Sequence, residues 1–382
     1  MAQLVLQNDE AARRNPADWT PMKNKWLQIA LSVLSLGLAV LLVVYLPQIV
    51  QALTGKPVSW AEIGRVFGTL DAGEIALMAG LWLLSLLAYT FVLTNSLPGL
   101  NNLQGLTLNA AGSAVSNLLP FGGAVGVALS WAMTKGWGFT SRAFVVMTLV
   151  SGVWNTLFRF VLPAVGIIAL LMAGQAPNAT VANAGWTGAV SIIVLCVVVA
   201  VALYWERAAV WLGKGLDGVT RLLRLKIHAS EAFHRLRADT AGVVRTRWPG
   251  LSLGMIFFLG FQWAIMAVCM QVTGAWPGLA QSIAVFALSR VLTSALITPS
   301  GAGIMEGGVV LLLTSAFGVP AAPATATALL FGFWTYTIEI PFGGLALGAW
   351  ALLRRRNGRN AGAEPRPRSR RPPSDNPKPI AC

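Results

Sequence analysis

The sequence predicts an all-α, polytopic integral membrane protein, and three observations carry that reading. Of its 382 residues, 55% are hydrophobic and only 11% are charged, whereas soluble domains carry about 25% charged residues. Several apolar runs reach the roughly 20 residues a helix needs to cross a bilayer, and they are continuous, without the alternation of a lipid-facing β-barrel. Finally, two stretches, SNLLPFGGAVG and LITPSGAGIME, interrupt apolar helical sequence with a Pro-x-Gly, at Pro120 and Pro299.

The elements are taken in chain order. Residues 1–25 are polar, contain Arg13, Arg14, Lys23 and Lys25, and are expected to form a cytoplasmic tail. Span one is expected at 26–46, ended by Pro47. It is longer than a signal-peptide core, and no small-residue cleavage site comes after it. Residues 47–74 are expected to be a polar loop with an amphipathic turn at SWAEIGRVFGTL. Span two is placed at 75–94.

The segment 103–133 is not one helix. It holds Asn117, Pro120, Gly122 and Gly123; proline removes a helix hydrogen bond and glycine costs about 1 kcal/mol against alanine. Two half-helices meeting at the break are expected. Span three is 143–172, kinked at Pro163, and span four is 186–205. The stretch 206–249 contains an amphipathic basic segment around Leu216–Lys226, expected on the inner membrane surface. Span five is 250–272. A second pair of half-helices is expected at 280–298 and 304–317, interrupted by Pro299, Gly301 and Gly303. Span six is 324–352, and the Pro- and Arg-rich remainder, 353–382, is expected to be a disordered basic cytoplasmic tail.

The two breaks belong to a duplication. At an offset of 180, Gly138, Gly152 and Trp154 fall on Gly318, Gly332 and Trp334, and Arg159 falls on Glu339. The repeat halves are about 103–172 and 280–352. Charge decides the threading. The net charge is +14, with nine basic residues from Arg207 to Arg247 and nine from Arg354 to Lys378. Lys and Arg mark the cytoplasmic side. If each broken segment enters the membrane and returns to its own side, both termini, Lys135, Arg142 and the 206–249 segment are cytoplasmic. Three crossings separate the breaks, so the repeats are inverted and the breaks meet near the bilayer middle. Corresponding broken helices of this kind point to a transporter's binding site. The location is expected to be the inner (plasma) membrane.

Four ionisable residues lie deep in apolar sequence: Arg159, Arg290, Glu306 and Glu339. Each unpaired charge there costs at least about 2.5–3.5 kcal/mol, so each should face a partner or a cavity. They are the expected substrate path, with Arg159 and Glu339 suited to pair across the repeat. The competing reading is a structural lock between the repeats. Asn117, Pro120, Gly122, Gly123, Pro299, Gly301 and Gly303 are the expected cavity-lining breaks.

Most enzyme chemistry is excluded. No His or Asp lies in a span, there is no HExxH, and no P-loop supports direct ATP drive. His228 and His234 lie in the basic segment, so no metal or cofactor is expected. Asp71 and Glu74 could imitate a sugar-phosphate or metal site, but a polar rim is the plainer reading. Asn178-Ala179-Thr180 matches a glycosylation triplet that recurs by chance. Cys196, Cys269 and Cys382 make no disulfide framework. The basic charge fits anionic lipid headgroups, and no nucleic-acid-reading fold is present.

NLLPFGGAVGVALSW with GWGFTSRAF, and TPSGAGIMEGGVVLLLTSAFGVPAAPATATALL, resemble the lysylphosphatidylglycerol synthase transmembrane-region, or flippase-like, family over about residues 26–352. The resemblance implies a helical domain that moves lipids between leaflets, and it carries Glu306 over from the family pattern. In synthases of the family a separate cytoplasmic domain attaches the amino acid; with 206–249 as the longest stretch outside the spans, aminoacyl transfer is not expected and the chain is not expected to be an enzyme. Many members carry a charged pair after the first Gly turn, where this chain has AVGVAL. The expected function is translocation, passive or ion-coupled, of a phospholipid or lipid-linked headgroup. The expected lipid is anionic, aminoacylated or polyprenyl-linked. The alternative is a non-transporting scaffold for cell-envelope synthesis enzymes.

Overall fold

The computed structural model describes residues 37, 41, 44–55, 57–118, 122–174, 190, 194, 229–293 and 303–363. Among these there are helices and no strands. In chain order they are α1 (Leu46–Thr54), α2 (Trp60–Phe67), α3 (Ala72–Ser96), α4 (Asn102–Leu118), α5 (Gly122–Gly136), α6 (Ser141–Met172), α7 (Ala229–Val272), α8 (Leu279–Leu292), α9 (Ile304–Leu311), α10 (Ala321–Gly332) and α11 (Glu339–Ala363). Four stretches are long and apolar enough to cross a membrane: Ala72–Ser96, Ser141–Met172, Ala238–Val272 and Ala321–Arg354. The chain is therefore an all-α polytopic membrane protein. Expected span one lies almost wholly outside the described residues, as do span four, the basic segment at 216–226, Pro120, Pro299 and Gly301.

A turn at Tyr45 separates the helical Val44 from α1, and Pro47 stands in the first turn of α1, where its missing N–H is no loss. Three expectations are corrected. The 47–74 region carries α1 and α2, the latter with a capping box in which Ser59 accepts from the Glu62 N–H and Glu62 accepts from the Ser59 N–H. Residues 229–249 are not a surface loop apart from span five. They form one helix with it, 44 residues long with Pro249 inside, rising about 66 Å. Likewise the helix of span six runs on through Arg354 to Ala363, so the first eleven residues of the expected disordered tail, 353–363, are helical.

α3 and α7 form the most extensive helix pair. Gly250 and Gly254, one turn apart on α7, lie against Asn95, Val92 and Ala88 of α3, the small-residue contact that lets membrane helices approach closely. The two broken segments are hairpins: α4 packs on α5, and α8 on α9. Each then packs on the long helix of the other repeat, α4 on α11 and α8 on α6. At the 180 offset these are equivalent pairs. Each contact rests on a glycine against alanines. A Cβ on Gly343 of α11 would collide with the Ala110 carbonyl and the Ala114 side chain, and one on Gly166 of α6 would meet Ala284 at 3.0 Å and Ala287 at 3.3 Å.

The hairpins open at opposite ends of the bundle. Gly99 before α4 sits against Phe139 after α5, where α3 finishes. Thr273 before α8 shares a 2.6 Å hydroxyl contact with Thr327 of α10, and Thr273, Gly274 and Ala322 lie beside Arg65 and Thr69, where α3 begins.

Candidate functional site

Between the two repeats lies a cavity of about 510 Å³. α4 and α5 contribute mainly small and polar residues, such as Ser113, Ser116, Asn117 and Gly123; α6 contributes Gly152, Asn155 and Arg159. From the second half come Arg290, Thr293, Tyr336 and Glu339, with Gln262 from α7.

Arg159 donates from Nε to Asn155 Oδ1 at 2.9 Å, one turn earlier on α6, and from Nη1 to Thr293 Oγ1 at 3.1 Å, at the end of α8. Glu339 accepts from Asn117 Nδ2 at 2.9 Å, and the Ser113 hydroxyl lies beside its carboxylate. Position 113 is the repeat equivalent of 293. Each long helix thus offers a charge to a hydroxyl on the other repeat's hairpin. The direct Arg159–Glu339 pair that equivalence suggests is not made; amide and hydroxyl groups satisfy each charge instead.

Arg290 is 2% exposed. Its Nη1 donates to Gln262 Oε1 at 2.8 Å, and its guanidinium lies 5.4 Å from the Phe286 ring centroid and 5.0 Å from that of Phe331. The stack covers a charge that hydrocarbon could not. Tyr336 brings a buried hydroxyl to the same cavity, without a hydrogen-bond partner among the described residues. It sits in a π-helical turn, Phe333–Thr337; such a turn shifts the helical register of the residues after it, Glu339 included. The equivalent stretch of α6 is regular helix.

Glu306 does something different. It is 7% exposed and is not among the cavity's walls. Its Oε2 accepts the Gly303 N–H at 2.6 Å, fastening the first turn of α9 where Gly303 takes φ +85°. Gly332 leaves room for its other oxygen. Of the expected break residues, Asn117 and Gly123 line the cavity, while Gly122 and Gly303 do not. Asp71 and Glu74 form the capping box of α3, and among the described residues no group of His, Cys, Asp or Glu could hold a metal ion.

Sequence reasoning missed Asn155, Thr293, Ser113, Gln262 and Tyr336. The offset could have found Ser113 and Thr293, since the two positions are 180 residues apart.

Fold and site together define a polytopic α-helical membrane protein with a cavity among its helices walled in part by Arg159, Arg290 and Glu339. The family model for the lysylphosphatidylglycerol synthase TM region matches residues 25–343, and the chain belongs to that family. It is thereby a membrane protein of lipid metabolism or transport. No curated protein matches the sequence.

Proposed function

We propose that the chain is a lipid translocase, in which a phospholipid or lipid-linked headgroup crosses through the cavity while the acyl chains stay in the bilayer. The observation that carries this reading is the convergence of Arg159, Arg290 and Glu339 on one cavity between the repeats. Charges at bilayer depth are rare and mark pathways, and interrupted helices at depth line cavities rather than lipid. The hairpins are short enough to be re-entrant: α8 has 14 residues, a rise of about 21 Å against a hydrocarbon core of about 30 Å. Their opening at opposite ends suits an inverted repeat with both termini on the cytoplasmic side of the inner membrane. Arg159 and Arg290 contact phosphate, and Glu339 with Asn117 holds the far wall. No step requires a cofactor or bond chemistry.

The test is reconstitution into vesicles containing a fluorescent phospholipid, with dithionite quenching of the outer leaflet. Wild type brings inner-leaflet lipid out faster than protein-free vesicles do, and Arg159→Ala returns the rate to the protein-free level with insertion unchanged. Equal rates in wild-type and empty vesicles overturn the reading. Removing residues 364–382 leaves transport intact, whereas a scaffold that docks partner enzymes through its basic tail loses its function.

A further inference from the structure

The two halves pair their helices alike but differ in charge. At the 180 offset, Glu306 and Gly332 correspond to Gly126 and Gly152. In the second half the Glu306 carboxylate lies against Gly332, 2.6 Å from where a Cβ would stand. In the first half nothing lies within 4 Å of the equivalent point on Gly152, and both Gly126 and Gly152 are walls of the cavity. The space that an acid fills in one repeat is open in the other.

The consequence is a charge imbalance. Among the described residues the Arg, Lys, His, Asp and Glu side chains on the cavity's walls are Arg159, Arg290 and Glu339, two basic against one acidic. Glu306 caps α9 from outside those walls, and of the groups acting electrostatically on Arg290 it acts least. The residues joining the hairpins, 119–121 and 294–302, include no ionisable side chain. Asn155 and Thr293 occupy Nε and Nη1 of Arg159, and Nη2 has no hydrogen bond to a described residue. The Tyr336 hydroxyl, without a hydrogen-bond partner among the described residues, adds a further donor at the same cavity.

We infer that the cavity selects a headgroup of net negative charge, a phosphodiester without a cationic amine, and that the open space over Gly152 is where it sits. This rests on the translocase reading and narrows it: a cationic aminoacylated headgroup would face two guanidiniums with a single carboxylate to oppose them. A carboxylate restored to the first half would cancel the preference. Gly152 is the place to put it, because added atoms there meet nothing, whereas a side chain on Gly126 would strike Ser116 and the Gly112 carbonyl.

The purified full-length protein is titrated with dioctanoyl phosphatidylglycerol, with its lysyl ester and with glycerol 1-phosphate, by native mass spectrometry. Vesicle transport of the two lipids is measured in parallel. We expect phosphatidylglycerol to bind at least about tenfold more tightly than the lysyl ester, because the lysyl group adds two positive charges and a single unit charge about 10 Å away at an effective dielectric near 20 already exceeds a factor of about ten. Gly152→Glu removes that preference, and Gly152→Gln, of the same bulk, keeps it. Equal or tighter binding of the lysyl ester, or identical selectivity in the two variants, overturns the inference. If neither variant folds, the wild-type preference alone decides. Binding preference without transport of either lipid sinks the translocase reading and leaves the headgroup assignment standing; transport that favours the cationic lipid does the reverse. Glycerol 1-phosphate binding as tightly as the lipid overturns the assignment to a lipid headgroup in favour of a free phosphate ester.

Discussion

The two halves of the molecule repeat each other's packing and exchange each other's chemistry. In the first, the long helix α6 carries Arg159 to Thr293 on the opposite hairpin; in the second, α11 carries Glu339 beside Ser113. The first hairpin turns on glycines that leave space over Gly152, and the second fills that space with the Glu306 carboxylate. The difference teaches that helices paired in the same way can carry unlike charges at offset-matched positions. Similar packing thereby encloses an asymmetric site.

The comparison is broken most severely at the cross-repeat contact. Gly343→Leu drives a side chain into the backbone of α4 and costs about 3 kcal/mol or more, read as loss of folded protein on size exclusion and a lowered melting temperature. Gly152→Ala, at the open counterpart surface, changes stability by no more than about 1 kcal/mol, towards greater stability.

Exchanging the charges sharpens it. Arg159→Glu alone lowers vesicle transport at least about tenfold, the effect of reversing a charge that contacts substrate. The double variant R159E/E339R recovers part of that loss. Recovery is chemically allowed because every partner is two-faced: Asn155 and Asn117 can rotate their amides, and Thr293 and Ser113 hydroxyls donate or accept. A double variant as inactive as the single one would mean that the two sites are not equivalent.

Smaller effects separate capping from transport. Glu306→Ala removes the acceptor for the Gly303 N–H and destabilises α9 by about 1–2 kcal/mol, while the ratio of anionic to cationic lipid binding stays where it was. A thermal-shift series with both lipids checks it. The smallest effect lies outside the membrane-spanning helices. The Ser59 backbone N–H, then its hydroxyl, hold the Glu62 carboxyl below its ordinary value. The folded state therefore binds that proton more weakly than the unfolded state. The contribution of this group is present above the ordinary carboxylate range and is lost as pH falls through the lowered value. Protection factors of the α2 amides, corrected for the intrinsic pH dependence of exchange, should fall over that acidic range, and Glu62→Gln should flatten the dependence.

Much of this is legible in the chain. The Pro-x-Gly breaks locate the facing ends of α4 and α5 and the start of α9, because proline and glycine act on the backbone locally; α8 ends at Leu292, short of the expected 298. The offset places Arg159 and Glu339 at equivalent positions on α6 and α11. The hidden part depends on partners distant in sequence. Asn155 and Gln262 are ordinary helix polar residues until Arg159 and Arg290 reach them. The register shift at Phe333–Thr337 has no local signature. Pro249 and the charges before it suggest a segment separate from span five, yet the stretch is one helix with it, and there Arg142 pairs with Asp239. Depth alone makes Glu306 look like a path residue; its place three residues after Gly303 is the sequence signal that marks it as a cap.

The most direct test of the central claim is photocrosslinking with a phosphatidylglycerol that carries a diazirine on its headgroup, in the reconstituted full-length protein, with adducts mapped by mass spectrometry. The account predicts labelling at the cavity-facing segments around Ser113–Asn117 and Gly152–Arg159, competed by unlabelled phosphatidylglycerol and lost in Gly152→Glu. Labelling confined to the exposed apolar surface, at residues such as Phe257 and Leu345, would contradict it.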